Sequence, residues 1–155
     1  MDDYDDAIEI MGELGDLLEP DAIFFYPDQA TWSVIVNNET TVDIAYDPVA
    51  RVLIFILDLG AIPEPVEAEI HKILLRFSYL WRETGGIHGA IDAEGRAALM
   101  YKRPLARLDT QSLWSLISNL AIQRGLWADL INAPPKQRKM DAPIGTGFPF
   151  GGIPV

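Results

Sequence analysis

The longest apolar stretch of the chain runs from Arg51 to Trp81 and contains two successive patterns. Residues 52–59 are apolar apart from Asp58 and are followed by turn residues, which predicts a strand covered on both faces. A helix should follow, because Pro65 suits a first helical position. Its apolar residues recur every three or four positions and predict one core-facing stripe: Val66, Ile70, Ile73, Leu74, Phe77 and Trp81.

The same helix carries a second apolar face, formed by Ala68, Leu75 and Tyr79. A helix with two apolar faces needs two covers, and the rest of one small domain supplies only one of them. We therefore expect a second copy of the chain to cover the other face, which predicts a homodimer.

The N-terminal part of the chain begins with helical spacing over residues 4–18, where the predicted stripe is Tyr4, Ala7, Ile8, Met11, Leu14 and Leu18. Residues 22–27, AIFFYP, fit either a strand or a loop. Residues 31–36 and 41–46 alternate with a period of two and, with the strand that begins at Arg51, predict an antiparallel meander.

After the central helix, residues 87–91 and 96–102 predict a hairpin around a four-residue turn. A last helix is predicted after Asp109, with an apolar stripe of Leu113, Leu116, Ile117, Leu120, Trp127 and Ile131. The predicted fold class is therefore α+β, in the order α-β-β-β-α-β-β-α, with helices packed on a mostly antiparallel twisted sheet.

The chain is predicted to contain one domain, over residues 1–132, because 155 residues are enough for a single core. Residues 133–155 are rich in proline and glycine and have no periodicity. They are predicted to form a flexible C-terminal tail.

Composition narrows the class of protein. The chain has a net charge of −11, and residues 1–70 carry 17 acidic side chains against a single arginine. Such a surface repels a phosphate backbone, so nucleic acid is an unsuitable partner and a basic protein segment is a better one. There is no cysteine and no apolar run of about 20 residues, so no disulfide or membrane insertion is predicted and a cytoplasmic location fits.

Candidate catalytic residues are few. His71 and His88 have no second ligand at a metal-binding spacing. Asp58 lies inside an apolar strand, where it either marks the strand's exit or needs a partner. A small enzyme would require Asp58 and His88 to converge in one pocket. We expect no enzyme, no cofactor and no metal.

The chain has more large apolar side chains than one small core requires. Since each large side chain left in water forgoes about 1.5–3 kcal/mol, a protein partner is expected to cover some of them. The candidates for such a binding surface are Ile8, Met11, Leu14, Phe24, Phe25, Trp32 and Val34. The alternative for the first helix is that it packs into the core.

Residues 51–130 resemble the class I chaperones of bacterial type III secretion, the Tir-chaperone (CesT-like) family. The resemblance rests on a strand that ends in Leu-Gly-x-x-Pro, a central helix, a Gly-Gly entry to a strand, a tight turn, a Pro-Leu segment with Leu-Asp, and a final helix that ends near a tryptophan. The matching residues are Leu59, Gly60, Pro63, Gly85, Gly86, Asp92, Gly95, Pro104, Leu105, Leu108, Asp109 and Trp127.

The resemblance implies a homodimer joined through the central helix and the neighbouring hairpin strand, with Ala68, Leu75, Tyr79 and Ile87 at the interface. It also implies that an extended N-terminal segment of a secreted effector wraps around the dimer and adds β-structure at a sheet edge. The chaperone would thereby keep the effector soluble and secretion-competent in the bacterial cytoplasm. The alternative is a non-secretory peptide-binding or scaffold domain of the same fold.

Overall fold

The computed structural model of the protein describes residues 3–18 and 22–133. Four helices and six strands follow one another in the order α1 (Asp3–Leu17), β1 (Ile23–Tyr26), β2 (Thr31–Val36), β3 (Thr40–Asp47), β4 (Val52–Gly60), α2 (Glu67–Tyr79), α3 (Trp81–Thr84), β5 (His88–Ile91), β6 (Ala97–Pro104) and α4 (Thr110–Asn132). Single turns of 3-10 helix precede β2 and α2, at Pro27–Gln29 and Glu64–Val66. No helix in the described ranges is both long enough and apolar enough to cross a membrane.

The six strands form one sheet in the order β1-β2-β3-β4-β6-β5. The strands β1 to β4 pair antiparallel in succession, and β5 pairs antiparallel with β6. The predicted α+β class is confirmed. The segment that the sequence left open, AIFFYP, contributes the additional strand β1.

Two compact units can be distinguished, which are described separately below: residues 1–56 with 102–121, and residues 57–101 with 122–155. The prediction of one domain over residues 1–132 stays a prediction. Most of the predicted tail, from residue 134 onward, lies outside the described residues.

In the first unit, α1 and the meander share a core. Alternate residues of β2 and β3 are buried, as a period of two requires: Trp32, Val34, Val36, Val42, Ile44 and Tyr46. The ring of Tyr4 on α1 stacks on that of Tyr46, with centroids 5.6 Å apart. The buried stripe of α1 is Ala7, Ile10, Met11 and Leu14. The stripe predicted from the sequence included Ile8, which faces solvent, and omitted Ile10, which is buried.

The strand β4 differs from its prediction. Its burial alternates, with Leu53, Phe55, Leu57 and Leu59 buried while Val52, Ile54 and Ile56 are half-buried. The expectation that both faces are covered was therefore wrong. A strand within an antiparallel sheet can bury one face and leave the other partly open, even where both faces carry apolar residues.

In the second unit, Ile70, Ile73, Leu74 and Phe77 of α2 are buried. The ring of Phe77 meets the edge of Trp127 on α4, with centroids 5.2 Å apart and an interplanar angle of 89°. Trp81 does not continue this stripe, because α2 ends at Tyr79 and Trp81 begins the next helix, where it is 47% exposed. Gly85 and Gly86 follow α3 with φ angles of 67° and 101°, which glycine adopts without strain.

The last helix begins as the sequence predicts. The carboxylate of Asp109 accepts a hydrogen bond from the N–H of Ser112 at 2.7 Å, which is an N-cap. All six residues of the predicted stripe of α4 are buried.

Candidate protein-binding surfaces

The first candidate surface is an aromatic edge on β1, formed by Phe24, Phe25 and Tyr26. These side chains are 45%, 41% and 47% exposed. In the strand order β1 stands at one end of the sheet, so the edge that faces away from β2 has no neighbouring strand among the described residues. Unpaired backbone groups on an exposed edge are a template for adding another strand.

The pairing of β1 with β2 explains how the aromatic edge is held in place. Phe25 lies opposite Trp32, and the two rings stack with centroids 4.9 Å apart and an interplanar angle of 13°. Trp32 is only 3% exposed, so Phe25 presents one ring face to a buried tryptophan and leaves the rest of its surface open. A stacked aromatic pair keeps the edge strand in place without covering it.

The other predicted members of this surface fall into two groups. On α1, Ile8 is exposed, whereas Met11 and Leu14 are buried. On β2, Trp32 and Val34 are buried. These four residues therefore belong to the core and expose almost no side chain to a partner. The sequence did not identify Leu17, which is 68% exposed near the end of α1.

The second candidate surface is the outer face of α2, formed by Ala68, Leu75 and Tyr79. All three are exposed, Leu75 to 72% and Tyr79 to 84%. Their spacing of seven and four residues puts them on one side of the helix. Ile87, which the sequence grouped with them, is fully buried just before β5. Four further large apolar residues of this unit are exposed and were not assigned to this surface: Trp81, Ile91, Ile122 and Leu126.

The strand β5 lies close to α2. The N–H of Gly89 donates to the hydroxyl of Ser78 at 2.8 Å. The single O–H of Ser78 has two carbonyl oxygens within reach as acceptors, that of Leu74 at 3.0 Å and that of Gly89 at 3.2 Å. A Cβ atom added at Gly89 would stand 2.8 Å from the carbonyl oxygen of Leu74. Only glycine allows so close an approach, so this residue sets the distance between the strand and the helix.

Acidic side chains concentrate in the first unit. A cavity of about 570 Å³ is lined by Asp3, Asp6, Glu9, Ile10, Glu13, Arg51 and residues 105–110. Arg51 forms an ion pair with Asp3 at 2.7 Å, and Glu13 accepts a hydrogen bond from the hydroxyl of Thr110. Asp6 and Glu9 also line this cavity, and the excess of negative charge favours cationic groups in a binding partner.

The two residues considered for catalysis, Asp58 and His88, are both exposed. The carboxylate of Asp58 is exposed and accepts hydrogen bonds from Arg96, at 2.8 Å from Nη2, and from the N–H of Gly60. Burial alone would raise the pKa of Asp58, but these hydrogen bonds outweigh it and the pKa lies below its ordinary value. His88 is exposed on β5, and within residues 3–18 and 22–133 no three potential ligands come together to hold a metal ion.

A known protein family matches most of the described chain. The model of the Tir chaperone protein (CesT) family matches residues 28–124, which is more than half of the 155 residues. The matched range begins after β1 and includes β2 to β6, α2 and the first half of α4. A comparison with curated protein sequences found no match.

Solved structures of the same fold come from complexes. A chain of the ExsC–ExsE complex is 16% identical, with a TM-score of 0.73 over 86% of this chain and 100% of that chain. A chain of the HopA1–SchA chaperone–effector complex is 17% identical, with a TM-score of 0.64 over 81% and 95%. A chain of the heterodimeric ExoU–SpcU complex, from the type III secretion system of Pseudomonas aeruginosa, is 18% identical, with a TM-score of 0.54 over 68% and 85%. At these identities the likeness establishes the fold.

Proposed function

The chain belongs to the Tir chaperone protein (CesT) family, and on that premise we propose that it is a type III secretion chaperone of the bacterial cytoplasm. It binds an extended N-terminal segment of a secreted effector and keeps that segment soluble and competent for secretion. The similar structures support this proposal, since one is a chaperone–effector complex and another is a complex from a type III secretion system. The role requires no catalysis and no cofactor.

The observation that carries the proposal is the aromatic edge on β1. Three adjacent aromatic side chains, each more than 40% exposed, are unusual on an edge strand, since proteins normally protect such edges with charges or cover. An incoming strand would pair with the backbone of β1 and place alternate side chains beside Phe25 on one face and beside Phe24 and Tyr26 on the other. Main-chain hydrogen bonds supply affinity, and the aromatic rings select apolar side chains.

The first helix extends this surface. Ile8 is exposed, and a Cβ atom added at Gly12, one turn further along, would meet no atom within 4 Å. The space beside Gly12 would admit an effector side chain next to Ile8. The acidic cavity on the same unit suits basic residues that flank the apolar segment of the effector. Met11, Leu14, Trp32 and Val34 then act as the rigid support rather than as contacts.

Homodimerisation is the second part of the proposal. The outer face of α2 offers Ala68, Leu75 and Tyr79, and large apolar side chains that are 72% and 84% exposed are typical of a surface that a partner covers. In a twofold dimer the same face of both copies is buried, so each residue is used twice. Ile87 is fully buried within the single chain and therefore offers no surface to this interface.

The test uses co-expression of the chain with the secreted proteins encoded beside its gene. We expect a soluble complex with one of them, which co-purifies and protects its N-terminal segment from proteolysis. The double substitution Phe24→Ser and Tyr26→Ser removes exposed aromatic surface only, so the chain should fold normally while the complex weakens by about tenfold or more.

Val49→Ser is the matched control, because Val49 is 93% exposed in the turn between β3 and β4 and belongs to neither candidate surface. It should leave the complex intact. The proposal of an effector chaperone fails if no neighbouring secreted protein forms a complex, and a stable complex with a non-secreted peptide would favour a binding domain outside secretion. The proposed site alone fails if the double variant binds as tightly as the control.

A further inference from the structure

The last helix carries an apolar surface that neither the core nor the surfaces above use. Ile122 is 62% exposed and Leu126 is 39% exposed, one turn apart on α4. Gly125 and Asp129 are also exposed on this side. We call Ile122, Gly125, Leu126 and Asp129 the Gly125 hollow.

The geometry of this hollow is that of a receptor for a single large side chain. Its members stand at positions i, i+3, i+4 and i+7, the four positions that enclose an inserted side chain in knobs-into-holes packing. A Cβ atom added at Gly125 would meet no atom within 4 Å, so the floor of the hollow is open. A glycine inside a helix lowers its stability, and nothing within the fold requires one here.

We propose that the occupant of the Gly125 hollow is the segment of the same chain that follows α4, with Phe148 or Phe150 inserted over Gly125. The bulkiest apolar side chains after α4 are these two phenylalanines, which stand two residues apart. Such a spacing gives an extended segment two aromatic side chains on one face.

Chain length allows this arrangement. Gly125 lies eight residues before Ala133, which is about 12 Å along a helix. Phe148 lies fifteen residues after Ala133, and an extended segment of that length reaches about 50 Å. Because the segment is tethered close to the hollow, its effective concentration there is in the millimolar range, and modest contacts are sufficient to hold it.

The distribution of charge also favours docking of the segment that follows α4. The last turn of α4 contains no basic residue, although a helix C-terminus stabilises cations. In the sequence, the cationic residues Lys136, Arg138 and Lys139 follow within seven residues of Asn132. Asp129, on the rim of the hollow, adds a negative charge on the same side.

A second copy of the chain is a poorer occupant. A stable interface buries about 800 Å² on each partner, and two partly exposed aliphatic side chains around a glycine provide only a small part of that area. A tethered segment needs much less area, because it pays a smaller entropic cost on docking.

The test is disulfide trapping. The chain has no cysteine of its own, so only the two introduced cysteines can form a disulfide. Asp129→Cys on the rim is combined with Thr146→Cys, and the rate of disulfide formation within one chain is followed by non-reducing electrophoresis and mass measurement. Two variants are made in this background: Gly125→Met, which fills the hollow, and Phe148→Ser with Phe150→Ser, which removes the inserting side chains. Each should slow disulfide formation about tenfold, since the tether remains the same and only the docking is lost.

Val49→Ser in the same background is the control and should leave the rate unchanged. Gly125→Met adds a side chain where there is open space, so its thermal unfolding should match or exceed that of the parent. The proposal is overturned if Gly125→Met and the phenylalanine variant form the disulfide as fast as the parent. It is equally overturned if the disulfide forms mainly between chains, which would assign the hollow to another copy.

Discussion

Ser78 and Gly89 join the central helix to the edge strand β5 by a hydrogen bond of 2.8 Å from the glycine N–H to the serine hydroxyl. The bond brings the backbone of β5 so close to α2 that a single added carbon atom would stand 2.9 Å from Cδ2 of Leu74. Leu74 is buried, whereas the next residue, Leu75, lies on the outer face of α2. The contact between Gly89 and Leu74 therefore helps to fix the orientation of that outer face.

Gly89→Ala is expected to destabilise the protein by about 1–3 kcal/mol, because the new methyl group overlaps the backbone of α2 and forces either element to shift. Chemical denaturation measures the change. Gly12→Ala is the matched control, since α1 has open space at Gly12. It should stabilise the protein by about 0.5–1 kcal/mol through helix propensity. Equal effects of the two substitutions would show that the close approach of Gly89 is not required.

Leu75→Glu and Tyr79→Glu are each expected to convert a dimer into a monomer, because they place an unpaired charge at an apolar interface. Both side chains are more than 70% exposed in the single chain, so the monomer should remain folded. Light scattering gives the mass, and circular dichroism verifies the fold. Val49→Glu is the control and should keep the dimer. If both variants remain dimers, the interface lies elsewhere.

Acidic pH is expected to lower the contribution of the Asp109 N-cap of α4 to the stability of the protein. The pKa of Asp109 lies below its ordinary value, chiefly because the backbone N–H of Ser112 donates to its carboxylate, with the Ser112 hydroxyl adding to the effect. A carboxyl whose pKa is lower in the folded state contributes stability above the unfolded pKa of about 3.9, and this contribution is lost as the pH falls through the folded pKa.

Asp109→Asn separates charge from capping, because asparagine also caps helices but carries no charge. We expect its midpoint of thermal unfolding to lie below that of the parent at about pH 6 and to converge with it as the pH falls below the unfolded pKa of about 3.9 and on through the folded pKa. Asp109→Ala loses the capping oxygen as well and should be less stable throughout. A difference between parent and Asp109→Asn that is independent of pH would contradict this role of the charge.

The sequence by itself determined the elements whose periodicity is local and strong. The period of two in β2 and β3, the stripe of α4 and the start of α4 after Asp109 were all correct, since each needs only neighbouring residues to specify it. The motifs around Leu59, Gly60 and Pro63, and those that follow, resembled the family that the comparison identifies over residues 28–124.

Only the tertiary structure decided which apolar residues face solvent. Phe24, Phe25 and Tyr26 do not alternate with polar residues, so their strand appears only once pairing with β2 is known. Ile8 and Ile10 both lie among apolar neighbours in α1, and the register of packing on the meander selects Ile10 for the core. A helix break after Tyr79 moved Trp81 out of the core stripe. Burial depends on what packs opposite a residue, and a one-dimensional pattern does not contain that information.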